Sequence, residues 1–519
     1  MILDYIKKYK KLIFFNTVEK IFLKSNINLK KQSKKKSKIK KKVVLLQMPM
    51  NYYFLLMSKT MVFENHINDK IYGTWCYYVR PLPKKFLVLE IIHYIFNSII
   101  YSFLLKKKWR KLYKKNNIIS FKDFSNLGLR SIYYSIKNIF KIFPNIKNNS
   151  DILKIKIKNI YIGDLVYDTY IRYRGVPTVD KNDFFLKYII FKSFLLIYNL
   201  ENFLKKNKIN FYYTSYSSYI NHGLIVRYFL KRKIKIITLP NNYGNNYSNL
   251  ITNRHPYARK NYEKLLSKFE KLKNKNKKIF FAKQQFLNRF QSKSDLLTKY
   301  LKNKPNYQID LKKKSNFNYE GIVYLHDFYD APHEGGMKLF SDYFEWFDFL
   351  SFVIKKHNLN FAFKFHPNAK PESKKFNEFL KNHYKSSRFL EEDISNHMLL
   401  RSKNLKVGIS AHGSVLQELL YFKKIPIYLA SNLISPLKIH KIPKTKKEYE
   451  NLILNYKKIK ITNSQINKMF KLYYMAVSDQ SYFKCEIAKK IKLKDMNINK
   501  IQDFSKYLNK IETELKLIY

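Results

Sequence analysis

The chain has 519 residues, too many for one small core and enough for two or three domains of about 150 residues each. Hydrophobic residues at 46% and aromatics at 17% supply ample core material, which excludes a disordered chain. The formal net charge of +64 invites a nucleic-acid reading, but only 12 of the 101 basic residues are arginine, the side chain that reads base edges and clamps phosphate. The lysine excess runs together with Asn, Ile, Tyr and Phe, the mark of a biased base composition.

The opening MILDYIKKYKKLIFFNTVEKIF is basic and amphipathic, and Asp4 with its neighbouring lysines interrupts any apolar core, so it is not read as a signal peptide. Residues 1–42 form a basic segment that ends in KKQSKKKSKIKKK, a solvated tether. From Val43 the run VVLLQMP reads as a buried strand closed by Pro49, and it opens an N-terminal Rossmann-like lobe over 43–257. Cys76 and Cys485 make no CxxC pair; a reducing interior and two small buried hydrophobes are expected.

FLVLEIIHYIFNSIIYSFLL, Phe86–Leu105, is about as long as a membrane span and is followed by KKKWRKLYKK. Glu90 and His93 suit a bilayer centre poorly, so the segment reads as a packed helix of a soluble lobe, with a membrane-surface helix as the alternative. Further on come IKNIYIGDLVYDTYIRYRG, the strand-like NFYYTS, the helical YINHGLIVRYFLKR and the apolar IKIITLP. Short apolar runs alternating with helical stretches indicate a parallel sheet covered by helices.

Residues 258–318 turn lysine- and asparagine-rich with helical spacing and read as a helical connector. The C-terminal lobe, 319–480, reads strand GIVYLHD, helix LFSDYFEWFDFLSFVIKKH, strand NFAFKFHPN, helix ESKKFNEFLKNHY, short strand RFLEE, helix ISNHMLLRS, strand LKVGISAHG, helix SVLQELLYFKK and strand IPIYLAS, a Rossmann-like open sheet. Residues 481–519 read as C-terminal helices. The aromatic stripe of DYFEWFDFL is assigned to the core.

Ligands of open α/β sheets bind beyond the carboxyl ends of the strands. Polar residues gather there: His326 and Asp327 after one strand, His366 and Pro367 after the next, and Ser410, His412, Gly413 and Ser414 after a third. Gly413 permits a tight turn and Ser414 is a good helix N-cap, so their amides would face an anion. Glu418, one turn on, would accept hydrogen bonds from ribose hydroxyls. His366 would donate to a phosphate oxygen as a nucleotide leaves.

These residues resemble the GT-B glycosyltransferases of bacterial capsule and lipopolysaccharide assembly, among them capsular Kdo transferases, polysialyltransferases and CDP-glycerol glycerophosphotransferases. The likeness is carried by HDFYDAPHEGGMKLFSDYFEWFDFL, KFHPN and AHGSVLQELLYFKKIPI, covering roughly residues 320–430, and by IGDLVYDTYIRYRG. It implies an α/β, GT-B-like fold of two Rossmann-like lobes facing a cleft with additional helices, a nucleotide-sugar co-substrate held by the C-terminal lobe, and no metal or other cofactor. By the same resemblance His366 contacts the donor phosphate, Ser414 and the Gly413 backbone hold phosphate or nucleotide, and Glu418 holds the ribose. YFKKIP departs from the pattern, with lysines where many relatives have a glycine before the proline.

An inverting transfer needs a base near the acceptor hydroxyl. Asp168 is a candidate, with Asp164 as its neighbour on the acceptor side and Arg172 or Arg174 as binders of an acidic acceptor. Asp330, His333 and Glu334 are others, on a loop that Gly335 and Gly336 would make mobile. The expected function is transfer of a sugar onto a surface glycan or lipid-linked acceptor, in the cytoplasm or peripherally at the inner face of the cytoplasmic membrane. The alternatives are a CDP-polyol phosphotransferase on the same fold and a non-enzymatic basic nucleic-acid-binding protein. No HExxH or comparable metal spacing occurs.

Overall fold

The structure, a computed structural model, describes residues 13–25, 42–48, 62, 65–66, 69–75, 81, 87–113, 118–238, 249–250, 262–291, 317–366, 371–390, 394–478, 487, 490–491 and 501–518. Pro49, Cys76, Pro367, Cys485 and residues 30–41 of the basic stretch lie outside them. The chain divides into two units: Met1–Thr169 with Asp180–Pro256 and Asp479–Tyr519, and Tyr170–Val179 with Tyr257–Ser478.

In the first unit, VVLLQ forms β1 (Val43–Gln47), which is flanked on both sides by parallel strands; that position suits an unbroken apolar run. Its neighbours are β2 (Lys70–Trp75), with β3 (Ile118–Asp123) outside it. A hairpin, β4 (Lys156–Ile157) and β5 (Ile160–Tyr161), stands apart. On the other side of β1 lie β6 (Phe211–Thr214), β7 (Lys235–Thr238) and the antiparallel edge β8 (Asn249–Leu250). The order β3-β2-β1-β6-β7-β8 is doubly wound, with its switch point between β1 and β6. The C-terminal helix Ile501–Ile518 belongs to this unit: Phe504, Leu508, Ile511 and Leu515, spaced four, three and four, bury against a core that includes Phe22 of the helix Thr17–Ser25.

The second unit has the sheet order β10-β9-β11-β12, all parallel, from β9 (Gly321–Tyr324), β10 (Phe361–Lys364), β11 (Val407–Ile409) and β12 (Ile425–Ile427). The chain steps from β9 outward to β10 and then returns to the opposite side of β9, so the switch point lies between β9 and β11. Asp342 starts the crossover helix Tyr343–Lys356 by accepting the Glu345 amide at 2.8 Å, and Tyr343, Trp346, Phe347 and Leu350 form its buried stripe. The segment expected as a connector folds onto this unit: Leu265, Phe269 and Phe286 share a core with Met469, Phe470 and Tyr473 of the helix Asn463–Val477.

The turn after the helix Val415–Tyr421, where lysines replace the glycine of related motifs, closes as a Schellman motif. The Lys423 amide bonds to the Leu420 carbonyl at 3.1 Å and the Lys424 amide to that of Leu419 at 2.8 Å. Lys423 takes the left-handed conformation, with φ 55°, that glycine adopts without strain. Lys423→Gly is therefore expected to raise unfolding free energy by about 0.5 to 1 kcal/mol, read as a later urea midpoint at unchanged slope. A loss of stability would show that the lysine side chain contributes more than the backbone strain costs.

Candidate functional site

Three adjacent strand ends bring the predicted histidines together. His326 follows β9, His366 follows β10, and Ser410 and His412 follow β11. At the switch point between β9 and β11 the rings of His326 and His412 meet with centroids 4.5 Å apart. Ser410 Oγ lies 3.2 Å from His326 Nε2 and receives the Gly413 amide at 3.4 Å, so its own proton is available to the imidazole. A Cβ on Gly413 would stand 2.9 Å from that oxygen, which explains the small residue.

Burial is the main influence on these rings. It pushes His326 well below the usual imidazole range, with His412 and His366 adding in the same direction. Burial also lowers His412 against the opposing pull of Glu334 and Asp330, and His366 against that of Asp327 and Asp330. At neutral pH the three are neutral hydrogen-bonding groups rather than cations.

The loop after β9 wraps this cluster in successive turns, with the Asp330 amide on the Asp327 carbonyl at 3.0 Å and the Gly336 amide on that of His333 at 2.9 Å. Gly335, expected to confer mobility, serves close packing instead: a Cβ there would come within 2.6 Å of His412 Cδ2. Asp327 Oδ1 accepts the Tyr329 amide at 3.0 Å and the Ser373 hydroxyl, tying the loop to the helix Pro371–His383. Asp330 is half exposed and pairs with Arg172 at 3.5 Å. Glu334 is partly exposed, whereas His333 is buried.

The other predicted residues are placed differently. Arg172 and Arg174, expected in the N-terminal lobe, count with the second unit, while Asp164 and Asp168 belong to the first. Asp164 is buried and holds Arg227 through two contacts of 2.7 and 2.6 Å, an internal ion pair rather than a surface awaiting an acceptor. Asp168 is 2% exposed. Ser414 is exposed and its side chain makes no cap to the seven-residue helix that follows. Glu418, expected to face ribose, turns inward at 3% exposure and accepts Arg289 at 3.3 Å. The Arg289 guanidinium in turn lies over the Phe286 ring. Glu418 therefore forms part of the unit's interior because the apolar face of its short helix rotates it there.

Two sets of residues escaped the sequence reading. Tyr343, assigned to a core stripe, stacks on His326 at 4.7 Å and its hydroxyl shares a hydrogen bond of 2.8 Å with His412 Nε2. Its position just after the Asp342 cap was the available signal, because a first-turn side chain leans back toward the strand ends. In the first unit, Gln47 at the end of β1 reaches the Ser215 amide at 3.2 Å, the Thr214 hydroxyl and the His222 ring. His222 lies in a π-helical segment, Tyr219–Gly223, that begins with Tyr219 at φ 61°. Strain and π-helix at a switch point mark a polar site that no spacing in the sequence announces.

No known protein family and no curated protein matches the chain. Among solved structures, it is similar to UDP-GlcNAc 2-epimerase from Neisseria meningitidis bound to UDP-GlcNAc, at 8% identity and TM-score 0.21 over 88% of this chain and 100% of that one. It is also similar to Medicago truncatula UGT71G1 complexed with UDP-glucose, at 11% identity and TM-score 0.25 over 91% of this chain and 98% of that one. The two Rossmann-like α/β units are established by this chain's own strands. Among the described residues, no group of three or more His, Cys, Asp or Glu side chains is arranged to hold a metal ion.

Two outcomes follow from the buried groups. Glu418→Ala leaves the Arg289 guanidinium inside the unit without its carboxylate and is expected to cost about 3 to 5 kcal/mol, read by urea denaturation. An effect below ~1 kcal/mol would mean that water reaches Arg289. As pH falls through about 6.5, the unfolded chain takes up protons that the partly buried His326, His366 and His412 resist, so stability is lost on the acid side and is fully present above the unfolded pKa. Each such histidine adds at most ~1.4 kcal/mol per pH unit, and His326→Gln is expected to flatten the slope between pH 7 and 5. An unchanged slope would show that the ring is charged in the native state.

Proposed function

We propose that the chain is a GT-B-type glycosyltransferase that moves a sugar from a nucleotide donor to a surface glycan or lipid-linked acceptor at the inner face of the cytoplasmic membrane, without a bound metal or other cofactor. The observation that carries this reading is the gathering of His326, His366, His412 and Ser410 at three adjacent parallel strand ends, centred on the β9/β11 switch point. Ligands of open α/β sheets occupy that position.

Neutral imidazoles suit a diphosphate leaving group. They donate hydrogen bonds to its oxygens without the permanent ion pairing that would hold the product, and their low-dielectric surroundings strengthen each bond as negative charge develops. In the transfer, the acceptor oxygen attacks the anomeric carbon and the bond to the nucleoside diphosphate breaks, with the electron pair leaving on phosphate. The acceptor's proton passes to a carboxylate. We assign that proton to Asp330, which is half exposed, acts electrostatically on both His366 and His412, and is steadied by Arg172.

The test is calorimetric titration of CMP, CDP, UDP and GDP against the purified chain and its His366→Ala, His412→Ala and Asp330→Asn variants. One nucleotide is expected to bind and to retain affinity at high salt, unlike a phosphate-backbone interaction. Each histidine variant should weaken it by roughly tenfold or more, the loss of one hydrogen bond to a charged group. Asp330→Asn should keep nucleotide affinity and lose sugar transfer. Binding of CDP with transfer of a polyol phosphate would select the alternative chemistry on the same site, and binding of no nucleotide would end the reading.

A further inference from the structure

The helix Leu87–Leu112 is 26 residues, about 39 Å, and in its first half the polarity is inverted. There Glu90, Asn97 and Ser98 face the protein. Glu90 is 1% exposed and accepts the Tyr94 hydroxyl, while Asn97 Nδ2 donates to the His93 carbonyl at 2.8 Å. Ser98 Oγ lies 3.3 Å from Tyr188 Oη and 3.4 Å from Lys192 Nζ. The apolar side chains face outward: Leu89, Ile92, Phe96, Ile99 and Phe103, spaced three and four, are each more than half exposed.

The helix Leu129–Ile142 repeats the pattern, with Leu129, Tyr133, Ile136 and Phe140 exposed at spacings of four, three and four. Between these two helices and the helix Phe184–Lys206 opens an apolar cavity of about 720 Å³, lined among others by Ile95, Ile136, Ile139, Phe140, Tyr188 and Phe191. Ile95, Ile136 and Phe140 also belong to the exposed set, so the outward face leads into the cavity. Exposed apolar surface on this scale marks an interaction site.

Charge identifies what covers it. Lys106, Lys107, Arg110, Lys111, Lys137 and Lys141 are exposed on the same two helices. Between Glu90 and Asp151 the sequence carries a single carboxylate, Asp123, and it accepts its neighbour Ser125 at 2.6 Å. A second copy of a chain with net charge +64 would set these cations against their own kind, whereas anionic headgroups complement them. Among the described residues no helix is long and apolar enough to cross a membrane, so the contact is with the interface.

We propose that the outward faces of Leu87–Leu112 and Leu129–Ile142 dock this protein onto an anionic lipid bilayer, with the cavity between them as its deepest point. The outward residues lie among the acyl chains and the lysines at the headgroups, while Glu90 and Asn97 stay inside the protein and never meet lipid.

The test is co-sedimentation of the full chain with vesicles of phosphatidylcholine alone or mixed with phosphatidylglycerol, in the absence of nucleotide, so that failure here and failure of the nucleotide reading remain separately visible. The chain is expected to sediment with the mixed vesicles, and I92E/F96E to weaken that binding by roughly tenfold or more, since two buried apolar contacts become two charges. Both positions are solvent-facing, so melting temperature should be unchanged; the milder L89Q/F103Q is expected to weaken binding in the same direction even if the first variant folds poorly. Absence of sedimentation by the parent overturns the proposal. So does full binding by both variants, which would reduce the effect to lysine adsorption, or a concentration-dependent dimer that I92E/F96E dissolves, which would put a second copy on this face.

Discussion

Parallel pairing of β9 with both β10 and β11 is the constraint on which the second unit depends. Because the chain leaves β9, returns on its other side and keeps all strands in one direction, three loops separated in sequence by tens of residues open at the same edge. Hydrogen bonding along the strands then fixes the spacing of His366, His326 and His412 and brings the His326 and His412 rings against each other. Tyr343 completes the arrangement from the crossover helix, stacking on one ring and bonding to the next.

The same edge sets the chemistry of the site. His326 and His412 pack against Tyr343 at this edge, and partial burial lowers the pKa of all three rings and keeps them neutral. Charge is supplied instead from the rim, by Asp330 and Arg172, where solvent moderates it. Full ion pairs occur deeper, as Glu418 with Arg289 in one unit and Asp164 with Arg227 in the other. There each charge is held by its partner and the pair gives the interior a single register, so neither carboxylate is presented to a ligand.

The first unit faces two environments with one helix layer. Glu90, Asn97 and Ser98 of Leu87–Leu112 find their hydrogen bonds inside the protein, which leaves the outer surface of this stretch free to be apolar. Glu90 and His93 argued against a membrane span when read along the sequence. Read around the helix, they occupy the inward side and leave the outward side suited to an interface.

Much of this protein was legible in its residues. VVLLQ, GIVY and FAFK announced buried parallel strands because apolar runs without alternation need cover on both faces, and the turn residues after them located the strand ends where His326, His366 and His412 stand. Local pattern could not say which way a short helix turns once packed, so Glu418 and Asp164 looked like surface ligands and proved to be internal ion-pair partners. Nor could it show that Lys423 would take a glycine's conformation, since a turn imposed by the packed helix and strand on either side overrides the residue's own preference. Periodicity along the chain determined the elements. Only tertiary packing decided which side chains meet, because burial, ring stacking and charge neutralisation depend on neighbours that are distant in sequence.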